Sequence, residues 1–235
     1  MTIINQFHSI GDILFIEPIC RKMWQDTFKK PILPVRDHLM WLSRYIESAE
    51  FKPMSKFNLD YESTDITYSE YLPLRFANQI VRGLDKNDHS DFENCMPDKY
   101  ILAQQRIEDW KRIELNFDEA LASELMTTEL KIKEPYVLVN NHCQAGTIDI
   151  KPNTTDRIIY MSEIKGFTLI DWYGVILQAK EFHTVSTSTY FLCQAIHNKY
   201  QFEVPVFIYP RPNEDGLRGI SKIPADFNYK LVYNL

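Results

Sequence analysis

Ile3-Ile4-Asn5-Gln6-Phe7-His8-Ser9-Ile10-Gly11-Asp12-Ile13-Leu14-Phe15-Ile16 is the stretch on which the fold is decided. Ile3 to Phe7 is short and partly apolar, as a first strand would be. Ser9 to Asp12 reads as a turn, and Ile13 opens a helical segment that runs on through Cys20 and Trp24. Pro18 is read as lying close to the helix start, where a missing N–H is least harmful. Pro31-Ile32-Leu33-Pro34-Val35 follows after about a helix length as a second strand. Strand, helix and strand together predict a βαβ unit and a parallel sheet.

In an open parallel sheet, ligands bind beyond the carboxyl ends of the strands. The loop from His8 to Asp12 would sit at such an end. Gly11 permits close backbone approach, and the helix start behind it offers unpaired N–H groups. Asp12 has two readings there. It can cap those N–H groups, as aspartates at helix starts do, or it can serve as a carboxylate in chemistry.

Outward from this unit, Asp60 to Asp65 and Lys86 to Asp91 read as polar loops, and Tyr71 to Val81 as a helix entered after Pro73. From Lys99 to Leu130 the pattern is helical, with Ile107, Trp110 and Ile113 at helix spacing and Leu121 and Leu125 after them. One or two amphipathic helices bridging two lobes are expected. A second α/β series then starts. Tyr136-Val137-Leu138-Val139 and Arg157 to Met161 are strand candidates, Thr168 to Ala179 a helix and Phe182 to Val185 a strand. Tyr190 to His197 follows as a helix, Val204 to Tyr209 as a strand, and Asn228 to Tyr233 as a strand-like tail. Two Rossmann-like halves follow from that alternation, residues 1–115 and 116–235.

Composition narrows the possible functions. The formal net charge of -6 argues against a general affinity for nucleic acid backbones. The four cysteines, Cys20, Cys95, Cys143 and Cys193, stand in no metal or redox spacing, and the six histidines show no HxxxH or HxH pattern. No Asp-x-Asp, GxSxG, P-loop or GxGxxG is present. The N-terminus lacks the basic and apolar runs of a signal peptide, and no apolar run is long enough to span a bilayer. A cytoplasmic protein is expected.

The run Ser9-Ile10-Gly11-Asp12-Ile13-Leu14-Phe15-Ile16-Glu17-Pro18 resembles the S-x-G-D-hydrophobic-hydrophobic-x-x-x-P opening of heptosyltransferase-like GT-B glycosyltransferases. The resemblance implies an α/β fold of two Rossmann-like lobes with a cleft between them. It implies an acceptor-side lobe over residues 1–115 and a nucleotide-sugar-binding lobe over 116–235. His8, Ser9 and Gly11 would line the acceptor loop, with Asp12 as general base of an inverting, metal-independent transfer from a nucleotide sugar to a glycan or other hydroxyl acceptor. No cofactor is implied.

On the donor side, Asn141 lies in the polar loop after Val139, Lys151 follows it, and Glu163 follows the next strand in a place suited to ribose hydroxyls. Ser186, Thr187, Ser188 and Thr189 form the turn before the next helix, where hydroxyls and helix N–H groups can meet a diphosphate. The family turn reads D-T-G with a histidine three residues on. Here Ser186-Thr187-Ser188 aligns, Phe191 takes the histidine's place, and Thr187 alone matches. Arg75 is a further candidate, for an acceptor's anionic group or for a surface ion pair. Two other readings stand beside transfer: a sugar-nucleotide epimerase-like enzyme, and a non-catalytic nucleotide- or sugar-binding protein of the same fold.

Overall fold

The computed structural model describes residues 2–6, 9–56, 71–84, 94–212 and 220–233. The loops read at Asp60–Asp65 and Lys86–Asp91 lie outside the described residues, as does His8. The chain divides into two compact units, Met1–Asn116 with Gly219–Pro224, and Phe117–Arg218 with Ala225–Leu235.

The first unit is built on a four-stranded parallel sheet. Its strands are β1 (Ile3–Ile4), β2 (Ile32–Val35), β3 (Glu50–Pro53) and β4 (Tyr71–Leu72), in the order β3-β2-β1-β4. Helix α1 (Ile10–Thr27) crosses from β1 to β2, and every residue from Ile13 to Cys20 is buried. It starts three residues before the apolar run because Ser9 caps it: the Ser9 Oγ accepts the Asp12 N–H at 3.2 Å. Two expectations are corrected by that start. Gly11 lies in the first turn of a helix and not in a separate loop, and Pro18 lies in the helix interior. There its ring withholds the N–H that the Leu14 carbonyl would accept.

Where the sequence read a helix after Pro73, the chain forms β4, a short 3-10 turn over Leu74–Phe76 and then α2 (Ala77–Arg82). The helical stretch expected from Lys99 to Leu130 is also broken. It consists of α3 (Cys95–Leu102), a 3-10 segment Ile107–Arg112, and α4 (Glu119–Glu124) continued by a π turn over Leu125–Glu129. Gln104 adopts a left-handed φ of 55° and ends α3. From Ile113 to Phe117 the odd-numbered residues are buried and Glu114 and Asn116 exposed, the period of extended chain.

Phe15 organises the packing under α1. Its ring lies 5.1 Å from Tyr100 in an edge contact and 5.9 Å from Trp110. The Tyr100 hydroxyl donates to the Phe15 carbonyl at 2.8 Å. Glu17 is buried beside them. It takes a hydrogen bond from Arg21 Nε at 3.2 Å and one from the Glu114 N–H at 3.0 Å, which ties the extended 113–117 segment to α1.

Burial raises the Glu17 carboxyl above its ordinary value of 4.5, against the lowering pull of Arg21. A raised folded-state value means that the stabilising contribution is complete below 4.5 and is lost as pH climbs above it. The stability of the native chain relative to Glu17→Gln should therefore fall as pH climbs above 4.5, which urea melts at a series of pH values will measure.

The second unit holds a five-stranded parallel sheet. Its strands are β5 (Tyr136–Asn140), β8 (Arg157–Tyr160), β9 (Glu181–Val185), β10 (Val206–Tyr209) and β11 (Tyr229–Leu231). The order is β11-β10-β9-β5-β8. Between β5 and β8 lies a small antiparallel ladder of β6 (His142–Cys143) and β7 (Gly146–Thr147). Helix α5 (Tyr173–Gln178) precedes β9, and α6 (Ser188–Tyr200) joins β9 to β10. β5 is buried along its whole length, which is why its sequence is an unbroken apolar run without alternation.

Both sheets reverse their direction of growth. In the first unit the chain leaves β1 for β2 and β3, then returns to place β4 on the other flank of β1. In the second it leaves β5 for β8, then returns to place β9 on β5's other flank. Such reversals open a crevice at the carboxyl ends of the strands concerned, where ligands of α/β sheets bind.

Candidate functional site

In the first unit the reversal falls between β1 and β4, and the residues of interest follow their carboxyl ends. Asn5 and Gln6 follow β1 and are buried. Asn5 donates to the Tyr71 hydroxyl at 2.5 Å, and its carbonyl accepts the Arg75 N–H at 2.9 Å, so the chain after β4 is stitched to the end of β1. Arg75 thus contributes its backbone to this edge, and its guanidinium stacks on the Phe76 ring, 5.0 Å from the centroid.

Ser9, Gly11 and Asp12 stand together at the start of α1. The Ser9 Oγ donates to Asp12 Oδ2 at 2.7 Å while accepting the Asp12 N–H, so the capping hydroxyl also holds the carboxylate, and Asp12 does not itself cap the helix. Lys99, from α3, forms an ion pair with Asp12 Oδ1. The lysine side chain is 5% exposed and that of Asp12 27%. The carboxylate is therefore partly exposed and paired with a buried ammonium. Its neighbour on α3, Asp98, is fully buried and grips Arg82 of α2 through two hydrogen bonds of 2.6 and 3.2 Å. Two consecutive residues of α3 thus make oppositely directed ion pairs, and the second reaches the motif aspartate.

In the second unit the reversal falls between β5 and β9. Asn140, the last residue of β5, donates from Nδ2 to the Thr184 hydroxyl at 3.1 Å and to the Thr187 hydroxyl at 3.4 Å. Thr187 caps α6. Thr187 and Thr189 hydroxyls are 2.9 Å apart, those of Thr189 and Thr184 are 2.7 Å apart, and Thr184 donates to the Val185 carbonyl at 3.0 Å. One assignment satisfies every bond: Thr187 gives its hydrogen to Thr189, Thr189 to Thr184, and Thr184 to the backbone. The three hydroxyl hydrogens are then spent inside the turn. What the turn offers an anion is the N-terminal N–H groups of a thirteen-residue helix and their dipole.

Ser186 is buried in the same turn, and Ser188 opens the helix half-exposed. Arg211, just beyond β10, donates from Nε to the Ser186 carbonyl at 2.6 Å and brings a cation to this edge. Thr187→Ala removes both the cap and the first link of the hydroxyl chain. It is expected to cost about 1 kcal/mol in a denaturant melt, with Thr187→Ser close to native.

The remaining donor-side candidates stand apart from this cluster. Asn141 is half-buried just past β5 and accepts the Ile148 N–H through its carbonyl at 3.0 Å. Lys151 is exposed and pairs with Asp149 at 2.5 Å, a pairing that raises its ammonium above the ordinary lysine value. Glu163 is exposed in the loop after β8. Three residues that sequence reasoning did not single out complete the two edges: Lys99, Thr184 and Arg211. None carries a motif, and Lys99 is 87 positions from its partner. Among the described residues no group of three or more His, Cys, Asp or Glu side chains is placed to hold a metal ion, and no helix is long and apolar enough to cross a membrane.

No protein-family model matches the chain. No curated protein matches it by sequence. Solved structures do match. The iron-containing dodecameric glycosyltransferase TibC from enterotoxigenic Escherichia coli superposes with a TM-score of 0.54 at 12% identity, over 93% of this chain and 63% of its own. This chain therefore spans under two thirds of TibC. A glycosyl transferase family 9 protein of Veillonella parvula gives 0.53 at 7% identity, over 97% of this chain and 85% of its own. The Escherichia coli ADP-heptose lipopolysaccharide heptosyltransferase II gives 0.56 at 11% identity, covering 97% and 92%. At these identities the likeness is one of fold: the chain is an α/β protein of parallel sheets with the heptosyltransferase-like GT-B fold.

Proposed function

We propose that this chain is an inverting glycosyltransferase that moves a sugar from a nucleoside-diphosphate donor to a hydroxyl acceptor without a metal. The observation that carries the reading is Asp12, an accessible carboxylate at the start of α1, on the crevice of a sheet whose fold is shared with glycosyltransferases. The first unit takes the acceptor and the second the nucleotide sugar. Asp12 accepts the proton of the acceptor hydroxyl as that oxygen bonds to the anomeric carbon. The bond from that carbon to the β-phosphate oxygen breaks, and its electron pair leaves with the nucleoside diphosphate. Attack from the face opposite the leaving group inverts the anomeric centre. The α6 N-terminus and the Arg211 guanidinium supply positive potential for the departing diphosphate. Asn141, Lys151 and Glu163 belong to the donor side in this reading, with Glu163 toward the ribose.

Calorimetric titration with UDP, GDP, ADP and dTDP tests the donor half. One of the four is expected to bind, and the matching sugar nucleotide is then the substrate to assay. Binding by none of them would sink the reading. A second reading, a nucleotide- or sugar-binding protein without transfer, is favoured by the closed hydroxyl chain of Thr187, Thr189 and Thr184. It predicts nucleotide binding with no release of nucleoside diphosphate from any sugar nucleotide, with or without acceptor.

A further inference from the structure

We infer that Lys99 is the positioning residue of Asp12: its buried ammonium fixes the direction of the oxygen that receives the acceptor's proton. The inference rests on the assignment of Asp12 as base and adds a residue that no motif marks.

Three observations carry it. Lys99 Nζ is paired with Asp12 Oδ1 while the Ser9 hydroxyl occupies Oδ2, so each oxygen of the carboxylate is held by a different element. The ammonium is almost wholly buried, yet its partner is more than a quarter exposed. A lysine that served only to neutralise a surface aspartate would gain little from burial, since desolvating an ammonium is costly and exposed pairs return at most about 1 kcal/mol. The burial makes sense where the aspartate must keep one orientation. Finally, α3 is not free to shift. Asp98, the residue before Lys99, is locked to Arg82, and Tyr100, the residue after it, is bonded to the Phe15 carbonyl inside α1. Lys99 is thus mounted between two anchors.

The chemical consequence concerns the proton. In attack on a positively charged anomeric centre the hydroxyl acidifies as its oxygen bonds to carbon, so the transfer needs direction more than strength. Once Asp12 holds the proton, the ammonium no longer faces a counter-ion, which favours passing the proton to solvent and resetting the site.

The experiment compares Lys99→Met, Lys99→Gln, Asp12→Asn and the double variant Asp12→Asn with Lys99→Met. It uses the full chain and the sugar nucleotide matching whichever of UDP, GDP, ADP or dTDP binds. Lys99→Met should lower kcat on the order of 100-fold, with KM for donor and acceptor within about threefold of native. Adding Lys99→Met to Asp12→Asn should cost nothing further, because the lysine acts through the aspartate. A purely structural lysine would instead lower the thermal midpoint and the active fraction, leaving kcat per folded molecule intact. If the methionine variant does not fold, Lys99→Gln, which keeps a donor in the slot without its charge, carries the same comparison. A Lys99 variant that folds and keeps kcat within about threefold of native overturns the inference. So does a double variant markedly slower than Asp12→Asn alone. Retained turnover in Asp12→Asn sinks the base assignment itself, and binding by none of the four nucleotides removes both; these results are distinguishable from a failure of Lys99 alone.

Discussion

Asp12→Asn is expected to lower transfer by about 100- to 10,000-fold, with the affinity for the nucleoside diphosphate nearly unchanged. The substitution is chosen because it separates the two roles open to this residue. Ser9 remains the cap of α1 in this variant, and the asparagine amide oxygen can still accept the Ser9 hydroxyl. A role limited to holding the Ser9 hydroxyl at the helix start therefore predicts native turnover. A base role predicts the full loss, because an amide cannot take the acceptor's proton. Lys99 loses its counter-charge in this variant. The accompanying loss of stability should stay below the ~3–5 kcal/mol of a fully buried pair, since water reaches the Asp12 side. Single-turnover kinetics on the folded fraction, with calorimetry on the same preparation, read both quantities. Native kcat would reduce Asp12 to a partner of the Ser9 cap.

Trp110→Ala should cost ~3–5 kcal/mol, the largest stability effect expected of any single change discussed here. Trp110 is 1% exposed, and its ring lies 5.9 Å from that of Phe15, the residue on which Tyr100 also packs. Removing the indole opens a cavity beneath α1 that the neighbouring aromatic rings are too rigid to fill. For a chain of this size the melting midpoint should drop by roughly 6–20 °C. The exposed Tyr233 provides the contrast, and Tyr233→Ala should remain within about 0.5 kcal/mol of native. A loss below about 1 kcal/mol for Trp110→Ala would mean that the 3-10 segment does not pack on α1 as described.

The parts of the fold that could be read in advance are those whose residues carry their own instruction. Tyr136 to Val139 is apolar throughout because β5 is buried on both faces, and Pro135 in front of it marks the boundary. Phe182 to Val185 and Val206 to Tyr209 were legible for similar reasons. The α1 start was placed three residues late because the apolar run begins at Ile13, whereas the helix begins where Ser9 can cap it. The stretch after Lys99 misled more seriously. Ile107, Trp110 and Ile113 fit a helical spacing, but Ile113, Leu115 and Phe117 also fit a spacing of two, which is the one the chain adopts from Ile113 onward. The arbiter is Glu17, which accepts the Glu114 N–H from far along the chain.

The same limit applies to the candidate site. Asp12 and Thr187 sit in a local pattern of strand end, small polar residue and helix start, so their neighbourhood announces them. Lys99 sits in an ordinary run of charges, and only the parallel crossover of α1 and the packing of α3 against it bring the ammonium to Asp12. Arg211 is likewise placed by β10, whose end is fixed by pairing with β9. Lys151 shows the reverse case. Its place in the sequence invited a role, and its folded surroundings give it an exposed carboxylate neighbour, Asp149.

The return of Gly219–Pro224 to the first unit bears on how the chain is made. Ile220 and Ile223 of that segment are buried, so the first unit includes residues made about a hundred positions after Asn116. On the ribosome, Met1–Asn116 emerges long before those two isoleucines are synthesised. At ~5–20 residues per second, the intervening hundred or so residues take about 5–20 s. The first unit is therefore complete only after that interval, and a fragment ending at Asn116 would lack this part of it.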